Sequence, residues 1–226
     1  MIRETSSQTV KSKIDSITAQ LSLPPYLLEG GIVVILAIAT IIINCKMIKD
    51  GLNGNADIKW HLTWIQHFSK QLSEGILYPR WLAGTNYGYG SPTFVFYPPL
   101  AYYFGSFLRL SGLDAQDTLI SLFSLALFLS GLTFYIYGKH KWGRIPALIG
   151  AFAYMTVPYI GFDIYWRGGL GSIFVQAWIP VLWLLTEQSL YSKQKWRLGL
   201  AICWTILALT HTPSLLICAV IWFPSV

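Results

Sequence analysis

The sequence predicts an all-α, polytopic helical membrane protein, and three observations lead there. Charged residues make up only 12% of the 226-residue chain, against about 25% in ordinary soluble domains. Hydrophobic residues make up 54%, and mean hydropathy is +0.51. The apolar residues also fall in runs close to the ~20 residues that a helical span requires. This composition argues against a soluble globular domain and against disorder. Three cysteines are too few for a disulfide-stapled scaffold. Cys45, Cys203 and Cys218 lie in apolar runs and read as small buried side chains. The net charge of +6 would suggest nucleic acid in a soluble protein. In a membrane protein it reads as basic cytoplasmic loops, so the lipid bilayer is the expected partner and nucleic acid is not.

Residues 1–26 are polar, carry no signal-peptide core and read as a cytoplasmic arm. Spans are expected at about 27–48, 117–138, 145–162, 169–187, 197–210 and 213–226, six in all. The first contains the aliphatic run IVVILAIATIII. Between the first two spans lies a long connection, 49–116, of mixed character.

Orientation follows from the short loops. Lys139, Lys141 and Arg144 form one basic cluster, and Lys193, Lys195 and Arg197 form another. The positive-inside rule places both in the cytoplasm. The connectors at 163–168, with Arg167 alone, and at 210–213, without Lys or Arg, then face outside. The segment FVFYPPLAYYFGSFLRL decides the parity of the long connection. Pro98 and Pro99 break any helix through it, and the dozen residues after them are too short to cross. An interfacial or re-entrant helix over 97–110 follows, with the loop 49–116 outside.

Within that loop, DIKWHLTWIQHFSKQLSE (57–74) has helical periodicity. Ile58, Trp60, Leu62, Trp64, Ile65, Phe68 and Leu72 fill one arc, and Lys59, Thr63, Gln66, Lys70 and Glu74 the other. Such a helix lies flat at the interface with Trp among the headgroups. Asp57 and His61, four apart, fall within the apolar arc, where titratable groups are costly unless paired or used. Alternatively, Asp57 is the helix N-cap after Gly54-Asn55-Ala56, and His61 is a satisfied interface histidine. The stretch that follows is dense in Gly, Pro and aromatics. Tyr78, Trp81, Tyr87, Tyr89 and Tyr97 offer flat faces to sugar rings or lipid chains, or else form a plug packed on the spans.

The run from Asp57 through His61, YPRW (78–81) and GYGSPTFVFYPPLAYY (88–103) resembles bacterial and archaeal membrane proteins labelled "6-pyruvoyl-tetrahydropterin synthase-related". The pieces AYMTVPYIGFDIYWRGGLGSIFVQAWIPVLWLL (153–185) and LTHTPSLL (209–216) fit the same family. The resemblance covers roughly 50–220. Nothing in the chain resembles a soluble pterin enzyme. The architecture looks like the GT-C superfamily of polyprenyl-phosphate-sugar glycosyltransferases, which carry an essential acid in the first outer loop. That resemblance implies a GT-C-like bundle of about six spans in a bacterial or archaeal cytoplasmic membrane, with its active side extracytoplasmic. By position, Asp57 matches the first-loop acid, and Arg167-Gly168 the Arg-Gly that begins the fourth span. A second acid is expected shortly afterwards, where this chain has Ser172. Asp163 on the same connector is either its substitute or a surface acid. Relatives continue through further spans, so the chain reads as a fragment.

The chemistry implied is transfer of a sugar from a polyprenyl-phosphate donor to an acceptor. Asp57 is the expected general base, oriented by His61. Arg167 is the expected phosphate ligand, by bidentate pairing. His211, in Thr210-His211-Thr212, and Arg80 are further phosphate or donor contacts, with Tyr89 and Tyr97 as stacking faces. The plainer readings are a helix-terminal polar cluster for His211 and a snorkelling interfacial side chain for Arg80. No cofactor is demanded. Mg²⁺ or Mn²⁺ held by Asp57 and Asp163 is the one metal option. Walker, Rossmann and nucleophile-elbow motifs are absent from the sequence. The alternative function is a non-catalytic membrane protein that binds lipid-linked glycans or assembles a complex. A transporter is disfavoured, because no charged residue sits in the middle of a span.

Overall fold

The structure is a computed structural model that describes residues 24–53, 56–191 and 195–223. Most of the amino-terminal arm, Gly54 and Asn55, and Lys193 of the second basic cluster lie outside the described residues. The described residues form helices and no strands. In chain order these are α1 (Pro25–Ile43), α2 (Cys45–Asp50), α3 (Ile58–Ser73), α4 (Thr93–Phe96), α5 (Leu100–Leu110) and α6 (Ala115–Trp142). Then follow α7 (Arg144–Met155), α8 (Pro158–Phe162), a π-helical turn (Asp163–Arg167), α9 (Leu170–Tyr191), α10 (Lys195–Thr210) and α11 (Thr212–Trp222).

Among the described residues, four segments are long and apolar enough to cross a membrane: Pro25–Ile43, Ala115–Trp142, Arg144–Arg167 and Leu170–Leu190. The chain is therefore a multi-pass integral membrane protein. The regions read as fifth and sixth spans hold shorter apolar helices, Trp196–Thr210 and Thr212–Trp222. Large apolar side chains such as Ile41, Ile42, Ile145, Ile149, Leu216 and Val220 are exposed. Such a surface would be unstable in water and is the ordinary lipid-facing surface of a span. Cys45 is exposed, against the sequence expectation; Cys203 is buried and Cys218 half-buried.

The longest helix, α6, begins at Asp114, whose carboxylate accepts from the Asp117 N–H at 2.7 Å. It ends in Lys139, His140 and Lys141, cations that suit a helix C-terminus. α7 and α9 pack along it. Gly138 brings α7 close: a Cβ there would lie 3.2 Å from that of Ala147. Asn44, buried between α1 and α2, donates to Ser124 Oγ at 3.1 Å and ties that corner to α6.

α3 buries Ile58, His61, Ile65, Phe68 and Ser69 and packs on α5 and α6. The contact is dominated by aromatic edges. The Phe68 ring lies 4.7 Å from Phe94, and Phe94 lies 4.6 Å from Tyr102. α5 has eleven residues, which span about 16 Å at 1.5 Å rise, too few for a core of about 30 Å. Pro98 and Pro99 separate it from the single turn of α4, so the 97–110 segment does not run as one helix.

Candidate functional site

Three chain segments meet at one end of the helices: the start of α3, the turn after α8, and the start of α9. His211, between α10 and α11, closes the fourth side. The turn explains the meeting. The wide π-helical turn over Asp163–Arg167 ends at Gly168, whose φ of +75° is the left-handed conformation that ends a helix. The N–H groups of Gly168 and Gly169 both donate to the Asp163 carbonyl, at 2.8 and 2.9 Å. The chain thus folds back sharply and starts α9.

Three glycines then permit close approach. A Cβ on Gly168 would lie 2.4 Å from Ile58 Cγ1. One on Gly169 would lie 2.6 Å from Ser172 Oγ, and one on Gly171 would lie 2.9 Å from His211 Cδ2. The Asp57 N–H donates to the Arg167 carbonyl at 3.0 Å. The first long loop is therefore pinned to the connector that carries Arg167.

Asp163 is fully buried, so it is not a surface loop acid. Its Oδ2 accepts from Ser172 Oγ at 2.5 Å, and Oδ1 forms an ion pair with Arg167 Nη1 at 3.2 Å. That pair meets Oδ1 without an aligned hydrogen bond. Arg167 also donates to Tyr159 Oη at 3.4 Å, and about a third of its side chain stays exposed. Ser172 thus holds the connector carboxylate rather than supplying one.

Asp57 occupies the N-cap position, but its side chain accepts no capping hydrogen bond. It is exposed, not sunk in the apolar arc as its spacing suggested. Its backbone is already helical, with φ −81° and ψ −14° and the Asp57 carbonyl accepting from the His61 N–H at 3.0 Å, so its exposure reflects what surrounds the first turn of α3 and not a departure from the helix. Its charge acts on Arg167, Tyr97 and Tyr102.

His61 goes the other way and is only 1% exposed. Its Nδ1 lies 2.6 Å from Tyr102 Oη, and Trp64 and Tyr97 pack edge-on against the ring. One hydrogen bond joins the two atoms, and the imidazole tautomer sets which of them donates. Nε2 itself completes no hydrogen bond. Burial lowers the His61 pKa to about 4; the Gly168 backbone offsets part of this, and His211 and Arg167 add to the lowering. The ring is neutral at pH 7. The proposed orientation of Asp57 by His61 is not how these side chains pair: His61 faces Tyr102.

Tyr97 is half-buried with its ring 5.0 Å from Trp64. Burial, then the Asp57 charge, pushes its pKa up to about 12. His211 bonds Ser214 Oγ through Nδ1 at 2.7 Å. Burial and Arg167 lower its pKa, against the opposite pull of Asp163.

Residues 94–224 match the family described as the 6-pyruvoyl-tetrahydropterin synthase related domain, a membrane protein family. The chain belongs to this family. The match takes in α5 through α11, and with them Asp163, Arg167, Ser172 and His211; Asp57 and His61 precede it. No curated protein and no solved structure matches the chain.

Not every residue singled out from the sequence joins the cluster. Tyr89 projects outward, 86% exposed, and Arg80 lies over the Tyr78 ring at 5.9 Å. A metal does not fit well. No three His, Cys, Asp or Glu side chains converge among the described residues. Of the two carboxylates considered for Mg²⁺ or Mn²⁺, Asp163 is already committed to a hydroxyl and a guanidinium, whereas such ions want several oxygens. Sequence reasoning missed Tyr102 and the Ser172–Asp163 bond. The hydroxyl of Tyr102 on the buried stripe of α5 was a readable signal; the pairing of Ser172 was not.

Proposed function

We propose that this family member is a GT-C-like membrane glycosyltransferase that moves a sugar from a polyprenyl-phosphate donor to an acceptor on the extracytoplasmic side. One observation carries the reading. The bond from the Asp57 N–H to the Arg167 carbonyl sets a solvent-facing carboxylate and a partly exposed guanidinium at the same helix ends, beside buried polar groups.

In this reading the acceptor hydroxyl attacks the anomeric carbon of the donor. Asp57 takes the hydroxyl proton as the new C–O bond forms. The bond from the anomeric carbon to the phosphate oxygen breaks, and the polyprenyl phosphate leaves with the electron pair. Arg167 meets the growing charge with the N–H groups that face outward. Asp163 and Ser172 hold the guanidinium in place. His61 remains neutral and fixes the wall of the site, and His211 closes it. The basic clusters at 139–144 and 193–197 support a cytoplasmic opposite face by the positive-inside rule, and the resemblance supports a bacterial or archaeal membrane.

The test is transfer of labelled sugar from polyprenyl-phosphate donors by the protein in lipid vesicles. Asp57→Asn is expected to abolish transfer with abundance and insertion unchanged, and full activity in that variant would remove the base. Impermeant thiol labelling at positions 57 and 167, in a cysteine-free background, is expected to find both from outside. A second reading is favoured by Ser172 standing where the resemblance expects an acid: a protein that binds lipid-linked glycans without turnover. It predicts donor binding that survives Asp57→Asn, and no transfer by the wild type.

A further inference from the structure

We infer that the chain carries a separate carbohydrate subsite on the outward face of α3, built by Trp60, Trp64 and Tyr87. It deepens the glycosyltransferase reading by giving the acceptor a chemical class, a neutral glycan. Its test does not depend on turnover.

The subsite is a depression of about 680 Å³ between α3 and the loop 84–91, within the ~300–1,000 Å³ of small-molecule sites. Trp60 and Trp64, one helical turn apart, form its floor with ring centroids 6.4 Å apart and planes tilted by 33°. Trp60 is half-exposed, and Tyr87 stands fully exposed on the facing loop. His67, Asn86 and Ser91 bring an imidazole, an amide and a hydroxyl to the rim. Among the described residues no carboxylate, ammonium or guanidinium lines it. Flat apolar faces with neutral donors and acceptors around them match a pyranose, which has an apolar face of C–H groups and an equatorial belt of hydroxyls. A phosphate or an acidic peptide would meet only the single Lys59 ammonium, which lies over the Trp60 ring at 5.5 Å from its centroid, and a basic peptide would meet no carboxylate among the lining residues.

The loop backbone supports the same reading. Asn86 and Tyr87 both have positive φ, 52° and 58°. Asn tolerates this conformation, but a bulky residue there is strained. The turn is locked by Gly90 N–H to Thr85 O at 2.9 Å and by Asn86 Nδ2 to Gly90 O at 3.0 Å. Tyr87 therefore bears strain and gains no burial. Glycine would be the stable choice, so the ring at this position is explained by what it touches outside the chain. The subsite also adjoins the centre described above. Trp64 stands between them, with its ring 5.6 Å from His61 on one side and the depression on the other.

The experiment uses the full chain in lipid nanodiscs, screened on an array of neutral mono- and oligosaccharides. The strongest ligand is then titrated by tryptophan fluorescence. Binding is expected to weaken at least tenfold in Trp60→Ala and in Tyr87→Gly, and to survive in Tyr87→Phe and Asp57→Asn. Tyr87→Gly should fold at least as well as the wild type, which separates lost binding from lost structure. The absence of any neutral-glycan binding, or equal affinity in Trp60→Ala and Tyr87→Gly, would overturn the subsite. So would quenching of Trp60 by brominated lipid tails without glycan protection, which would make these rings membrane anchors. Glycan binding without sugar transfer would sink the enzyme reading and leave the subsite standing.

Discussion

His61 gives the fold a pH dependence whose size can be worked out. The ring is buried against Tyr102, and its pKa falls from 6.5 to about 4. In an unfolded, hydrated chain it would titrate near 6.5. Between these values the unfolded state binds a proton that the folded state refuses, so stability must fall as pH falls. The contribution is fully present above about pH 6.5 and is lost progressively down to about pH 4. A difference of 2.5 units corresponds to about 3 kcal/mol at 1.36 kcal/mol per unit, of which about 2 kcal/mol is already gone at pH 5. The neighbouring cation Arg167 and His211 work in the same direction. The assay is reversible denaturation of the detergent-solubilised protein, with its midpoint followed from pH 7.5 to pH 4.5. The comparison is His61→Asn, whose amide lies near the position of Nδ1 and retains a partner for the Tyr102 hydroxyl without titrating. The wild type is expected to lose about 2.5 kcal/mol more than the variant over that range. Equal losses would mean that His61 is hydrated in the folded protein and that its burial against Tyr102 is wrong.

Three further substitutions probe the same region. Tyr102→Phe strips the partner from His61 Nδ1 and is expected to cost about 1–3 kcal/mol in the same denaturation assay at pH 7.5. Ser172→Ala leaves the fully buried Asp163 Oδ2 without its donor; about 1.5–3 kcal/mol is expected, since the acceptor is charged. Gly168→Ala combines a positive φ with a Cβ 2.4 Å from Ile58 Cγ1. It should lower the stability by about 2–4 kcal/mol, read as a lower denaturation midpoint, with protease sensitivity rising at the start of α3.

The fold class was legible because bilayer physics writes it in large letters. Long apolar runs with few charges leave a helical membrane protein as the available solution, and α6 and α9 are such runs. The amphipathic period around Trp60, Trp64 and Phe68 marked α3 in the same way, and Pro98-Pro99 marked the break before α5. The details of the centre were not legible, for a physical reason. Helical spacing put Asp57 and His61 on one face, but which side chain is covered depends on distant segments: Tyr97 and Tyr102 close over His61, while Asp57 stays exposed. The place of Asp163 could not be read either. An acid between Phe162 and Ile164 looks the same in sequence whether it faces water or accepts a bond from Ser172 nine residues later. The glycines at 168, 169 and 171 were visible as letters, but what each one makes room for exists only in three dimensions.

If Arg167 takes the donor phosphate as proposed, the burial of Asp163 bears on how it meets that anion. A lone guanidinium at a membrane surface would bind any phosphate, and the bilayer supplies phosphates in excess. Here Asp163 neutralises the charge of Arg167 from the inner side, while about a third of that side chain stays open outside. Arginine has five donors in a rigid fork, so one edge can serve Asp163 and Tyr159 and leave others directed outward. The long-range attraction for anions is thereby weakened while the directional hydrogen bonds remain. Recognition then depends on a ligand that reaches the fork in the right geometry, beside the Asp57 carboxylate, which repels an anion placed carelessly. In the proposed reading a buried acid behind the arginine trades affinity for selectivity, and Ser172 and the glycine turn hold that acid in place.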